Sequence, residues 1–184
     1  MMFNQTMESK VAVYRSTKLY QLLLILVGSL AIALSSQIII PLVPVPVTLQ
    51  TFAVMMVAML FGWRLGSLTV LAYLAEGLLG LPVFAGWQAG PAVLLGPLGG
   101  YLIGFAFAAI ATGWLLEKGF AKFFITTLIA ALVGEIFIFG FGIINLLRFM
   151  PFHEAMLAGF TPFIVSEMLK IFLLALVVPK FWTK

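Results

Sequence analysis

The chain has 184 residues, of which 64% are hydrophobic and only 9% charged, with a formal net charge of +4 and a mean hydropathy of +1.21. A soluble domain carries roughly a quarter charged residues, so the composition excludes a soluble globular protein and points to a single integral membrane domain over residues 1–184. Cysteine and aspartate are both absent, which excludes a disulfide framework, a cysteine-based metal site and an aspartyl intramembrane protease; no metal and no cofactor is expected.

The polar lead MMFNQTMESKVAVYRSTK is followed by an apolar run too long for a signal-peptide core, so a first span rather than a cleaved leader is expected from Leu19. Judged against the roughly 20 residues that a bilayer requires, six transmembrane helices are expected, near 19–40, 48–61, 65–79, 97–116, 123–144 and 159–178. The fold class is therefore an all-α membrane protein. The second and third spans are short. The turn FGWRLG between them carries Arg64 and two glycines, and a charge is hard to leave at the bilayer centre, so two tilted helices are preferred to one re-entrant unit. The run PLVPVPV ends the first helix in an extended loop, Pro41–Val47. The loop Leu81–Gly96 is rich in Gly and Pro yet apolar, and is expected to fold back over the mouth of the protein, where irregular backbone is tolerated. Pro97 suits the first turn of the fourth helix.

Six spans put both termini on the side of the Arg64 turn and the EKGFAK turn. That side collects Lys10, Arg15, Lys18, Arg64, Lys118, Lys122, Lys180 and Lys184, against Arg148 alone in the opposite loops. The bias makes both termini cytoplasmic in a cell membrane and accounts for the positive charge without nucleic acid.

Within this apolar background, Glu167 and Lys170 stand out in the segment FIVSEMLKIF. Glu167 lies about 12 Å down the last helix at 1.5 Å per residue, and Lys170 is nearly a turn deeper. Each charge costs roughly 2.5–3.5 kcal/mol at the centre of a lone helix, and their i, i+3 spacing places both on one face. A pair that merely neutralises itself is the structural reading; the functional one is a polar floor to a cavity open to the outside. Glu76 and Glu135 are assigned structural roles. The outer half also gathers Thr48, Gln50, Thr51, Tyr73, Trp87, Gln88 and Tyr101, which fits a mostly apolar pocket with a few placed polar groups. Gly100 and Gly104 form a helix-packing pair, while Ser29, Ala31, Ala33 and Ser35 offer a smooth ridge on the first helix for another protein. No P-loop and no HExxH motif is present, and the single histidine is His153; an enzyme is disfavoured.

The blocks PVPVTLQTFAVMMVAMLFGWRLG, LAYLAEGLLGLPVFAGWQAGPAVLLGPLGGYLIGF and SEMLK resemble the BioY family, the biotin-specific S components of energy-coupling factor (ECF) transporters, from Leu34 to Lys170. The resemblance implies the six-helix S-component fold, biotin as ligand near the outer face, and, as partners, a transmembrane scaffold subunit with two ATPases. It implies biotin contacts from Glu167 and Lys170, ring packing by Phe84, Trp87 and Tyr101, closure of the mouth by Thr48, Gln50 and Thr51, a lining role for Tyr73, and close backbone approach at Gly86, Gly99 and Gly100. It also places scaffold docking on Ser29, Ala31, Ala33 and Ser35. A stand-alone ion-coupled carrier using Glu135 or Glu167 is the alternative.

Overall fold

The computed structural model describes residues 17–182; Lys10, Arg15 and Lys184 of the charge count lie outside the described residues. Helix α1, Lys18–Ser36, turns one stripe inward: Gly28, Ser29, Ile32, Ala33, Ser35 and Ser36 are buried. A side chain at Gly28 would run into the methyl of Thr69, so glycine sets the close approach there. The helix stops at Ser36, four residues short of the expected boundary. Ile39–Ile40 (β1) instead pairs antiparallel with Val47–Thr48 (β2), Ile39 opposite Thr48 and Ile40 opposite Val47. This two-residue pairing is a small departure from an all-helical chain, and it closes residues 41–46 into a proline-rich strap.

Helix α2 runs Gln50–Leu78. In a straight helix residues 50 and 73 would stand roughly 34 Å apart, yet the Gln50 side-chain amide donates to the Tyr73 hydroxyl at 2.7 Å. The chain doubles back at Gly62, whose φ of 81° and ψ of 173° leave the helical region. Limbs 50–61 and 63–78 therefore lie antiparallel, and Gly66 sits directly on the backbone of Ala58. The expected pair of short helices is thus present, with its turn at Gly62 and Arg64 already in the second limb. The Glu117 carboxylate accepts the backbone N–H of Trp63 at 3.1 Å and satisfies one of the donors that the reversal exposes.

The apolar loop that follows holds a turn of 3₁₀ helix at Ala85–Trp87 and the short helix α3, Pro91–Leu95. Helix α4 is Gly99–Glu117 and α5 is Phe124–Leu146. Pro97 thus precedes α4, and it is Pro91 that occupies a first helical turn. Gly100 and Gly104 bring α4 against the α5 backbone at Phe141 and Ile138, the packing role expected of them. The loop after α5 contains a further helix, α6, Phe152–Gly159; a 3₁₀ turn at Thr161–Phe163 leads into α7, Ile164–Val177, and α8, Pro179–Trp182.

Five helical stretches among the described residues are long and apolar enough to cross a membrane: Lys18–Ser36, Gln50–Leu78, Gly99–Glu117, Phe124–Leu146 and Phe152–Trp182. The second is the one folded into two limbs. Tyr20, Gly62, Arg64, Glu117 and Trp182 line a common cleft, so the start of α1, the Gly62 turn, the end of α4 and the end of α8 share one end of the bundle. The strap, the apolar loop and α6 occupy the other.

Replacing Gly62 by Val forces a β-branched residue to positive φ and drives its Cβ into the Glu117 carboxylate. Strain of this kind costs about 1–3 kcal/mol, and the thermal midpoint in detergent is expected to fall. Gly140→Ala, where nothing lies within 4 Å of a new Cβ, is expected to leave the midpoint unchanged or raise it. Equal midpoints for both variants would contradict the hairpin turn.

Candidate functional site

The site is assembled where α7 meets the start of α2. Glu167 and Lys170 are 5% and 7% exposed, and the Lys170 ammonium lies 2.7 Å from Glu167 Oε1. The same ammonium donates to the backbone carbonyl of Thr48 and, at 2.9 Å, to Thr51 Oγ1; Thr51 in turn donates to Glu167 Oε2 at 2.8 Å. An ammonium has three donors and no acceptor, so Lys170 is fully used within the protein. Each Glu167 oxygen receives one hydrogen bond and keeps further lone-pair capacity.

Above this ring is a cavity of about 40 Å³ lined by Thr48, Gln50, Thr51, Glu167 and Tyr101, with Val45 and Pro46 of the strap and Ala85 of the apolar loop. Leu102, Phe105, Ile138, Phe139 and Phe163 complete its apolar walls. Tyr101 donates to the Gly159 carbonyl at 2.7 Å, with its ring edge-on to Phe139 at 5.8 Å and stacked on Phe163 at 6.3 Å. Its neighbour across the interface is Gly142, where a Cβ would strike the ring. The polar tip is satisfied and the body of the ring faces the cavity.

A second chain of hydrogen bonds holds the mouth. Gln50 donates to Tyr73, and Tyr73 donates to the Val83 carbonyl at 3.1 Å. Ser36 also reaches Val83, and Gln37 donates to the Phe84 carbonyl while accepting from the backbone N–H of Trp87. Phe84 is buried edge-on against Tyr73 at 5.6 Å, over Gly77, where no side chain fits.

The expected residues therefore divide. Glu167, Thr48, Gln50, Thr51 and Tyr101 converge on the cavity. Lys170, Tyr73 and Phe84 stand behind it and hold those residues or the loop in place. Trp87, 66% exposed, lies outside the cavity. Gly86 adopts φ 69° and shapes the 3₁₀ turn, whereas Gly99 and Gly100 admit the backbone at Leu94 and Phe141 rather than a ligand. The ridge on α1 requires correction. Ser29, Ala33 and Ser35 face inward, because the small residues are what lets α1 lie close to α2; Ser29 donates to the Glu76 carboxylate at 2.8 Å and Ser35 to the Ile32 carbonyl at 2.7 Å. Of the four residues, Ala31 alone remains on the outer surface. Phe139, Phe163, Leu102, Phe105 and Ile138 were not singled out from sequence, since an aromatic or aliphatic residue in an apolar span reads the same whether it faces a core, lipid or a cavity.

The model of the BioY family matches residues 7–184. The chain is 39% identical to the probable biotin transporter BioY of Pyrococcus horikoshii over 77% of this chain and 85% of that protein. It is 38% identical to the biotin transporter BioY2 of Lactococcus lactis subsp. cremoris over 88% and 90% of the two chains. Its fold superposes on the crystal structure of the S-component for biotin from an ECF-type ABC transporter with a TM-score of 0.82 and 30% identity, covering 91% of this chain and 93% of the other.

Lys170→Met leaves Glu167 buried without its cation. Breaking a buried pair by removing one partner costs about 3–5 kcal/mol, so the thermal midpoint of the ligand-free protein is expected to fall sharply. Lys170→Met combined with Glu167→Gln is expected to recover most of the loss. A single variant as stable as the parent would show that the pair is not buried together.

Proposed function

The chain belongs to the BioY family, and from that premise we propose that it is the biotin-binding membrane subunit of an ECF-type importer, a transport protein and not an enzyme. It is a multi-pass membrane protein of the cell membrane. The observation that carries the reading is the ring of Glu167, Thr51 and Lys170 beneath a largely apolar cavity.

Six spans with both termini cytoplasmic fit the doubled-back α2, the shared end of the bundle and the eight-to-one bias of basic residues. The cavity then lies toward the outer face. Biotin offers a cyclic urea with two N–H donors, an apolar thioether ring and a carboxylate tail. The urea pairs with Glu167, whose oxygens keep accepting capacity, and with the Gln50 amide and the hydroxyls of Thr48 and Thr51. The thioether ring packs on Tyr101, Leu102 and Phe105. Lys170 pairs with Glu167 and fixes its direction; it has no proton to spare for the ligand. Tyr73 and Phe84 keep Gln50 and the loop in position. The strap carrying Val45 and Pro46 and the loop carrying Ala85 close over the bound vitamin, since the cavity under them is far below the roughly 300–1,000 Å³ of small-molecule sites. Energy for delivery comes from partner ATPases on a transmembrane scaffold, and the scaffold meets the outward side of α1 around Ala31.

Purified chain is expected to bind labelled biotin stoichiometrically, and Glu167→Gln to weaken binding by about tenfold to a hundredfold, as hydrogen bonds to a charged group contribute about 1.5–3 kcal/mol. No binding by the parent chain, or unchanged binding by the variant, overturns the reading. Biotin uptake that persists without any ATPase and collapses with the proton gradient points instead to an ion-coupled carrier. Ala31→Trp is expected to abolish co-purification with the scaffold while sparing biotin binding; intact assembly removes α1 as the docking helix.

A further inference from the structure

Beside the cavity, on the flank of the bundle, lies a groove between α5 and α7 of about 370 Å³, walled by apolar side chains such as Leu132, Ile136, Met168 and Ile171. Two carboxyl residues, Glu135 and Glu167, line it as well. Glu167, Phe139 and Phe163 border both the groove and the cavity. The partition between the two spaces is therefore side chain, not backbone: the rings of Phe139 and Phe163 meet edge-on at 5.4 Å. Rings of this kind move by rotamer change while their helices stay in place. The cavity alone has room for one to a few waters. With the groove it reaches the size of a small-molecule site.

Glu135 stands on α5 about one turn from Phe139. It is 7% exposed; among the described residues no N–H or hydroxyl donor reaches its oxygens, and the side chain within hydrogen-bonding reach of it is another carboxyl, Glu167. The charged groups nearest to it are Glu167 and Lys170, both on α7. Lys170 cannot serve it, because its three protons go to Thr48, Thr51 and Glu167. Glu167 is itself a carboxyl and can meet Glu135 through at most one shared proton, which leaves acceptor capacity on both. A buried polar group left unmet costs about 1–3 kcal/mol, and more if charged. A carboxyl kept at such a cost, beside an acceptor already assigned to the ligand, is placed to meet a donor that arrives from outside the chain.

We propose that the buried end of the ligand enters between Phe139 and Phe163 and that Glu135 accepts one of its N–H groups, as a second carboxyl beside Glu167. The proposal rests on the biotin reading: a cyclic urea carries two N–H donors, and one carboxyl on α7 with another on α5 provides an acceptor for each. The side of the ligand site is then the α5–α7 seam, and Glu135 selects for a ligand with two donors over one with a single donor.

The test is equilibrium binding of biotin, and of biotin methylated at one or the other ureido nitrogen, to the full chain in detergent. Glu135→Met, similar in length and apolar, is expected to weaken biotin binding about tenfold or more while the thermal midpoint of the ligand-free protein stays level or rises, because an unmet carboxyl has been removed. One of the two methylated ligands is expected to lose much less affinity on the variant than on the parent, since the hydrogen bond it blocks is already gone. Unchanged biotin affinity in Glu135→Met overturns the proposal, as does an equal penalty for both methylated ligands on parent and variant. If Glu135→Met does not fold, Glu135→Leu is read by the same two criteria. Failure of the parent chain to bind biotin overturns the biotin reading itself, whereas binding by the parent with no effect at residue 135 overturns only the role given to Glu135.

Discussion

The constraint on which the site depends is the distribution of three protons. The Lys170 ammonium is withdrawn from water and divides its donors among the Thr48 carbonyl, the Thr51 hydroxyl and the Glu167 carboxylate. A buried ion pair is weak support for stability, because desolvation offsets the attraction. What it supplies here is register. The ring ties α7 to the point where β2 passes into α2, so the height of α7 against the strap is set to within a hydrogen bond. It also orients Glu167 with free accepting capacity toward the cavity.

The rest of the bundle serves to bring those segments together, and it does so by close backbone approach. Gly62 reverses α2, Gly66 seats one limb on Ala58, and Gly100 and Gly104 let α4 lie on α5. In lipid, apolar side chains gain little by leaving one apolar medium for another, so tight packing and hydrogen bonds carry the association. This explains why polar side chains at helix ends are committed to loops. Ser36, Gln37 and Tyr73 together hold the Val83–Trp87 turn through four hydrogen bonds, and that turn roofs the cavity through Ala85.

The division between residues that face the cavity and residues that hold them has a mechanistic consequence. A positioning residue such as Lys170 or Tyr73 reaches the cavity only through Glu167 or Gln50. The aromatic partition of Phe139 and Phe163 is different in kind: it belongs to no polar network and resists movement only by packing. The strap and that partition are boundaries of the cavity that can yield without breaking the ring beneath.

Composition and periodicity alone determined the membrane class, the order of the apolar segments, the shared face of Glu167 and Lys170, and the gathering of polar groups at one end. These follow from local quantities, namely hydropathy summed over a window, the 1.5 Å rise of a helix and the placement of Pro and Gly, and the family resemblance added the ligand. Tertiary structure decided what depends on distance between segments remote in sequence. It turned Ser29, Ala33 and Ser35 inward, because a stripe of small residues reads the same to a neighbour within the chain as to a partner outside it. It set Lys170 behind Glu167 and Tyr73 behind Gln50, left Trp87 outside, and brought Phe139 and Phe163 between cavity and groove. It also buried Glu135 with another carboxyl, Glu167, as its polar neighbour, a property of the surroundings that no helical spacing records.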